Sequence, residues 1–174
     1  MKSRIVLVSG APGAGKTTVA GPLARALRFA LIGKDHIKET LQDALAPEGA
    51  VPLAESRRIG GASMHLLWAL AATCPDVVLE ANFRPHSTYE QERLAALDAH
   101  VVEVYCWCPP EVAAARFAAR AQRPDHHRTH ALTELSPQML AEFDRPFGVG
   151  DVRVDTTAAV DTEQLAERVR ALFA

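Results

Sequence analysis

A chain of 174 residues, 48% apolar and 23% charged, is long enough for one full hydrophobic core and too short for two ordinary domains. A net charge of −2 excludes a whole-protein electrostatic pull toward nucleic acid and leaves only a local basic patch for such a partner. No apolar run approaches the roughly 18 residues of a membrane span, and the N-terminus lacks a signal-peptide pattern, so a cytoplasmic protein with no membrane partner is expected.

The first apolar run, Ile5 to Val8, is a short buried strand that breaks into Gly10-Ala11-Pro12-Gly13-Ala14-Gly15-Lys16-Thr17-Thr18, the G-x-x-x-x-G-K-T spelling of a P-loop. A polyphosphate has to be wrapped by backbone N–H groups, and only glycine lets the chain come that close and turn that sharply. Lys16 brings a positive charge to the β- and γ-phosphates, and Thr17 a hydroxyl for Mg²⁺. The helix that follows points its positive end at the anion. ATP and Mg²⁺ are the cofactors this loop predicts.

Thr17 to Arg28 is predicted helical, with Val19, Leu23, Ala26 and Leu27 on one face and a bend near Pro22. Phe29 to Gly33 suits a buried strand that delivers Lys34, Asp35 and His36 into a loop. Asp35 then caps a helix that runs through Ile37, Leu41 and Leu45 and stops before Pro47. Residues 47 to 53 read as a connection. Ile59, Ala62, Leu66, Leu67 and Leu70 place one apolar stripe on a long helix from Leu53 to Cys74, which Gly60 and Gly61 weaken or bend.

Val77 to Ala81 is the third strand, Tyr89 to Leu97 a helix, and Val101 to Trp107 the fourth strand. Glu111 to Ala121 is helical up to the interruption at Pro124-Asp125-His126-His127. A short helix follows at Pro137 to Phe143, then a last strand, Val152 to Asp155, and a closing helix, Thr162 to Phe173. Strands alternating with helices make a single α/β domain, a parallel sheet covered on both faces as in a three-layer α/β/α P-loop NTPase. Cys74, Cys106 and Cys108 are expected to be buried free thiols.

Ligands of open parallel sheets lie beyond the carboxyl ends of the strands, so the polar residues just after each run carry the chemistry. Asp35 is the candidate general base, or a carboxylate holding Mg²⁺ through water, and either role is compatible with capping. Glu80 and Asn82 leave the third strand together and Arg84 follows. Glu80 is assigned to Mg²⁺-bound water or to the acceptor and Arg84 to the acceptor or the transferred phosphate, against the simpler reading of a salt bridge. Arg116, Arg120 and Arg123 stand at i, i+4 and i+7, with Arg128 beyond. They form either a solvated basic face or a mobile lid over roughly residues 116–135, and the latter would neutralise charge as the phosphoryl group transfers. His127, at the tip, is a candidate acceptor contact. Trp68, Phe83 and Tyr89 either stack on an acceptor ring or belong to the core.

Taken together, Gly10 to Thr17, Ile32-x-x-Asp35, Val78-Leu79-Glu80-x-Asn82-Phe83-Arg84, the Cys108-Pro109-Pro110-Glu111 turn leading to Arg116 and Arg120, and Val154-Asp155-Thr156-Thr157 carry a family resemblance. The whole chain resembles the small P-loop kinases of the AAA-33 group, which includes chloramphenicol phosphotransferase, the zeta toxins and the kinase module of polynucleotide kinases. That resemblance implies a five-stranded parallel sheet in the order 2-3-1-4-5 and an arginine lid after strand four. It also implies adenine held between the lid base, with Arg116 and Arg120, and the loop at Thr156, with Asp35 as the acceptor-activating aspartate.

The activity expected is ATP-dependent phosphorylation of a small-molecule hydroxyl, on an antibiotic, a sugar or a nucleoside. In this scheme Lys16, Asp35, Arg120 and Arg123 are catalytic. The alternatives are a 5′-hydroxyl polynucleotide kinase and, in a different class, a nucleotide-binding regulator without an acceptor of its own. Apolar helix faces serve cores and partners alike, so the pattern sets no oligomeric state.

Overall fold

A computed structural model of the chain describes residues 2–45, 49 and 51–174. In chain order the elements are β1 (Ser3–Ser9), α1 (Lys16–Leu27), β2 (Ala30–Gly33), α2 (Lys34–Leu45), α3 (Leu53–Ala71), β3 (Asp76–Glu80), α4 (Thr88–Ala95), β4 (Ala99–Trp107), α5 (Pro110–Ala121), α6 (Pro137–Ala141), β5 (Val152–Asp155) and α7 (Thr162–Phe173). The connection expected over 47–53 lies, for residues 47, 48 and 50, outside the described residues.

All five strands run parallel in the order β2-β3-β1-β4-β5, the order the family resemblance implies. β1 is the centre, and Ile5, Val6, Leu7 and Val8 are fully excluded from solvent. Their alternation splits the core in two. Val6 and Val8 join Val104 and Val154 under α1 and α7, through Leu23 and Val169. Ile5 and Leu7 join Val77 and Leu79 under α3, through Leu67, Trp68 and Ala71. Removing such side chains from water stabilises the sheet by roughly 1.5–3 kcal/mol each, and this fixes the carboxyl ends of β1, β3 and β4 relative to one another.

Three local expectations are corrected. β2 is not a buried strand: it is the sheet edge, paired only with β3, and Leu31 is 47% exposed. Asp35 is not delivered into a loop ahead of a helix, because α2 starts at Lys34 and Asp35 already stands in its first turn. There a carboxylate complements the positive end of the helix without being its cap. On α3 the buried stripe is Ser56, Ile59, Ser63, Leu67 and Ala71, while Leu66 and Leu70 face outward. Ser63 escapes the cost of burial by donating its hydroxyl to the Ile59 carbonyl at 2.7 Å. α1 continues as one helix through Pro22. Gly60 lies against the side chains of Lys34 and Lys38, so its missing Cβ leaves room where α2 and α3 cross.

Cys106 and Cys108 are buried, as expected of free thiols, and Cys74 is only half-buried. Burial pushes the Cys106 thiol up to about 12, so it stays protonated and unreactive at neutral pH.

Candidate active site

Between β1 and α1 the chain turns on three glycines with positive φ: Gly10 at 129°, Gly13 at 83° and Gly15 at 79°. A Cβ on Gly10 would overlap the Cys106 carbonyl of β4, and one on Gly13 the Ala113 carbonyl of α5. The loop is therefore wedged between the end of β4 and the base of α5. Its far side is braced by Thr156, whose hydroxyl donates to the carbonyl of Ala14 at 2.9 Å. Pro12 and Ala14 are buried, while Thr17 and Thr18 are exposed at the start of α1.

Lys16 curls back inside the loop, and its ammonium donates to the carbonyls of Gly10 at 3.0 Å and Ala11 at 2.8 Å. Burial lowers its pKa, opposed by the charges of Glu80 and Asp35. Thr17 Oγ1 stands 3.5 Å from Glu80 Oε1 at the end of β3. Burial raises the Glu80 carboxyl, against the pull of Lys16. Hydroxyl and carboxylate oxygens are the donor set that suits Mg²⁺.

Asp35 is the acid on the β2 side of the loop. Burial alone would raise its pKa, but Lys34 at 3.1 Å, with His130 and Lys16 beyond, outweighs it and holds the carboxyl at about 2. The structure thus groups Lys16, Thr17, Asp35 and Glu80 in one electrostatic cluster. Asn82, half-buried just past β3, makes no side-chain hydrogen bond among the described residues.

The arginines divide. Arg116 donates to the Thr156 carbonyl at 3.0 Å and joins α5 to the end of β5, where the expected adenine-side residues meet. Arg120 extends over the Phe117 ring at 5.4 Å and lies close enough to lower the Lys16 pKa and that of Glu80. Arg123 is turned to the lid tip, in a bidentate pair with Asp125 at 2.9 Å to both oxygens. α5 ends at Ala121, so Arg123 stands past the helix that carries the other two. Arg84 reaches away from the loop to Glu142 at 2.5 Å, which is the salt-bridge reading of that residue.

His127 meets Asp43 at 3.2 Å, eight positions along α2 from Asp35, so the structure does not bring it to the acid. His130 comes closer: it meets Glu39 at 2.8 Å, and its protonated form helps lower the Asp35 carboxyl, although burial lowers the pKa of the imidazole itself. Trp68 and Phe83 are core residues, packed 5.3 Å apart, and Tyr89 bonds His65.

Sequence reasoning missed Lys38. Its buried ammonium donates to Ser56 Oγ at 2.7 Å and to the Thr129 carbonyl at 2.9 Å, pinning the segment after α5 onto α2 and α3. It also missed Glu103 on β4, which accepts from Ser9 Oγ at 2.5 Å and from the Phe147 N–H at 2.7 Å and so anchors the entrance to the P-loop. Lys34 was legible as Asp35's neighbour. Lys38 and Glu103 depend on partners many residues away.

The family model AAA_33, described as an AAA domain, matches residues 5–146. Among solved structures, a candidate kinase from Chloroflexus aurantiacus j-10-fl is 28% identical, with 98% of each chain covered and a TM-score of 0.77. A sugar kinase from Janibacter sp. HTCC2649 is 18% identical over 98% of this chain and 94% of its own, with a TM-score of 0.64. The APS kinase of Mycobacterium tuberculosis, in complex with AMPPNP and APS, is 17% identical over 99% and 98%, at 0.61. These last two likenesses concern the fold. No curated protein matches the sequence. With the family model spanning most of its length and the 2-3-1-4-5 sheet around an intact P-loop, this chain belongs to the AAA_33 family and has the fold of the small P-loop kinases.

Proposed function

We propose that the chain transfers the γ-phosphate of ATP to a hydroxyl group of a small molecule. The observation that carries this reading is the ionised Asp35, set beside the P-loop in electrostatic contact with Lys16 and Glu80. A nucleotide-binding regulator needs the loop but has no use for a carboxylate on the acceptor side. Phosphoryl transfer needs both, because the work is positioning and charge stabilisation with a single proton to remove.

The backbone of Gly10 to Thr18 and the Lys16 ammonium bind the β- and γ-phosphates. Arg116 and Thr156 border the base, and Arg120 faces the charge that develops on the transferring group. Thr17, with Glu80 or Asp35 through water, would hold Mg²⁺, which supplies charge neutralisation between the phosphates when bound. Asp35 accepts the acceptor's proton and orients its oxygen in line with the γ-phosphate. Asn82 binds the acceptor in this scheme. The similarity to a sugar kinase and an APS kinase fits a small acceptor but does not name one.

The test is an ATP-consumption screen over sugars, nucleosides, aminoglycosides, chloramphenicol and 5′-hydroxyl oligonucleotides. Stimulation by a small alcohol, lost in Asp35→Asn, is the result expected. Stimulation by oligonucleotides alone would replace this reading with a polynucleotide kinase, and no stimulation by any class would favour the regulator.

A further inference from the structure

The two faces of the sheet are not covered alike. On the face that carries α3, that helix packs over β1 and β3, and over β4 the cover is the chain around α6. Beneath α6 lies a cavity of about 620 Å³, within the roughly 300–1,000 Å³ range of small-molecule sites. Its lining is partly aromatic, with Tyr105 and Trp107 of β4 and Phe143 just past α6. Ala114 of α5 and Ala141 of α6 also line it, and larger side chains there would fill the space.

The walls are held in place. The Tyr105 hydroxyl donates to the Phe143 carbonyl at 2.7 Å, and the Arg153 guanidinium sits 4.3 Å from the centre of the Trp107 ring. An ion pair and a hydrogen bond tie the segment past α6 to the loop after β3: Arg84 with Glu142 at 2.5 Å and His86 with Asp144 at 2.8 Å. An apolar space with such fixed walls is preorganised for a ligand.

None of Lys16, Thr17, Asp35 or Glu80 lines it. On α5, Arg116 is about 200° around the helix from Ala114, so the arginine face and the cavity face are separate. Among the described residues, the charged side chains in the lining are the acids Glu111 and Asp144. A phosphate-bearing molecule would meet repulsion there. We propose that this cavity is a binding site, separate from the nucleotide site, for a planar and largely apolar small molecule that carries no negative charge. Its inner wall includes Ala11 and Ala14, so the occupant would rest against the outside of the P-loop.

Two dyes with the same ring framework test this on the full chain: neutral N-phenyl-1-naphthylamine and its sulfonated counterpart 1-anilinonaphthalene-8-sulfonate. The neutral dye should bind saturably, one per chain, at least about tenfold tighter than the sulfonate. Ala114→Trp and Ala141→Phe should each weaken it by a similar factor while a fluorescent ATP analogue binds as in the wild type. Ala141 is exposed, so its variant should fold even if the α5 substitution does not. Failure of the neutral dye to saturate, equal binding of the sulfonate, or unchanged affinity in a folded cavity-filling variant would each overturn the proposal. None of these outcomes depends on whether the chain phosphorylates anything.

Discussion

Lys34 and Asp35 are neighbours in sequence, and their side chains meet at 3.1 Å in the first turn of α2, with the carboxylate two-thirds buried. Burial works against the charged acid, and the adjacent ammonium is the largest force restoring it, so Asp35 titrates at about 2 instead of 3.8. The folded pKa is depressed. The stability it contributes is therefore present above the unfolded value of 3.8 and is lost as pH falls toward about 2. Lys34→Met should raise the Asp35 pKa, move the acid limb of the pH–rate profile to higher pH and reduce stability near pH 5. Asp35→Asn should lower kcat by roughly 10²–10⁴-fold with ATP affinity retained. An Asp35→Asn enzyme turning over a true acceptor at the wild-type rate would remove Asp35 as the base.

Gly10 and Gly13 combine positive φ with a Cβ direction that points into a neighbour's backbone, on β4 and α5 respectively. Neither neighbour can rotate away, since both are carbonyls of regular elements. Alanine at either position should cost about 2–4 kcal/mol in urea denaturation and abolish nucleotide binding. By contrast, Gly61, with open space around its Cβ direction in the middle of α3, should gain about 0.5–1 kcal/mol on becoming alanine.

That contrast shows where sequence reading works. The P-loop was legible because its constraint is local: a fixed spacing of glycines, a lysine and a hydroxyl that no other geometry requires. β5 and α7 fall where their periodicity put them. What failed was set by distant chain. The four apolar-looking residues of β2 suit a buried strand, and only the strand order makes it an edge with Leu31 exposed. On α3 the expected stripe holds at Ile59 and Leu67, but Leu66 and Leu70 turn out to solvent and two serines join the buried face, each bonded in a way that hydrophobicity does not register. Arg84 fits either a phosphate ligand or a salt bridge from sequence, and its partner Glu142, some 58 residues on and just past α6, decides for the salt bridge. His127 and His130 differ by three positions, and only the path after α5 decides which of them approaches Asp35.

Lys38 makes a pH prediction with the same sign as Asp35, in an alkaline window, but it arises from a burial cost rather than a gain. Burial, reinforced by the like charge of Lys34, lowers its pKa from 10.5 to about 8. Below pH 8 the ammonium is charged in both folded and unfolded states, and the full cost of burying it is present. Between 8 and 10.5 the unfolded chain binds more protons, so this group's contribution makes stability rise with pH. Lys38→Met removes the cost, and Ser56 Oγ still donates to the Thr129 carbonyl at 2.6 Å. The variant should match or exceed wild-type stability near pH 7, and its advantage should shrink near pH 9.5. A stability difference independent of pH across that interval would show that the Lys38 ammonium is not buried as described.

The arginines give the sharpest separation of roles. Arg116 bonds the Thr156 carbonyl, and Thr156 in turn braces Ala14, so Arg116→Ala should raise the KM for ATP more than it lowers kcat. Arg120 lies over the Phe117 ring, and its charge is felt at Lys16 and Glu80. Its removal should lower kcat by about 10²-fold or more with little change in KM, as expected of a group used in the transition state. Arg123 and Asp125 form a solvent-exposed pair of the kind that contributes little to stability. If that pair persists through turnover, Arg123→Ala should leave kcat within about threefold of wild type. A loss matching that of Arg120→Ala would mean instead that the lid tip exchanges Asp125 for the transferring phosphate, and Asp125→Ala, which frees the same guanidinium, should then raise kcat rather than leave it unchanged.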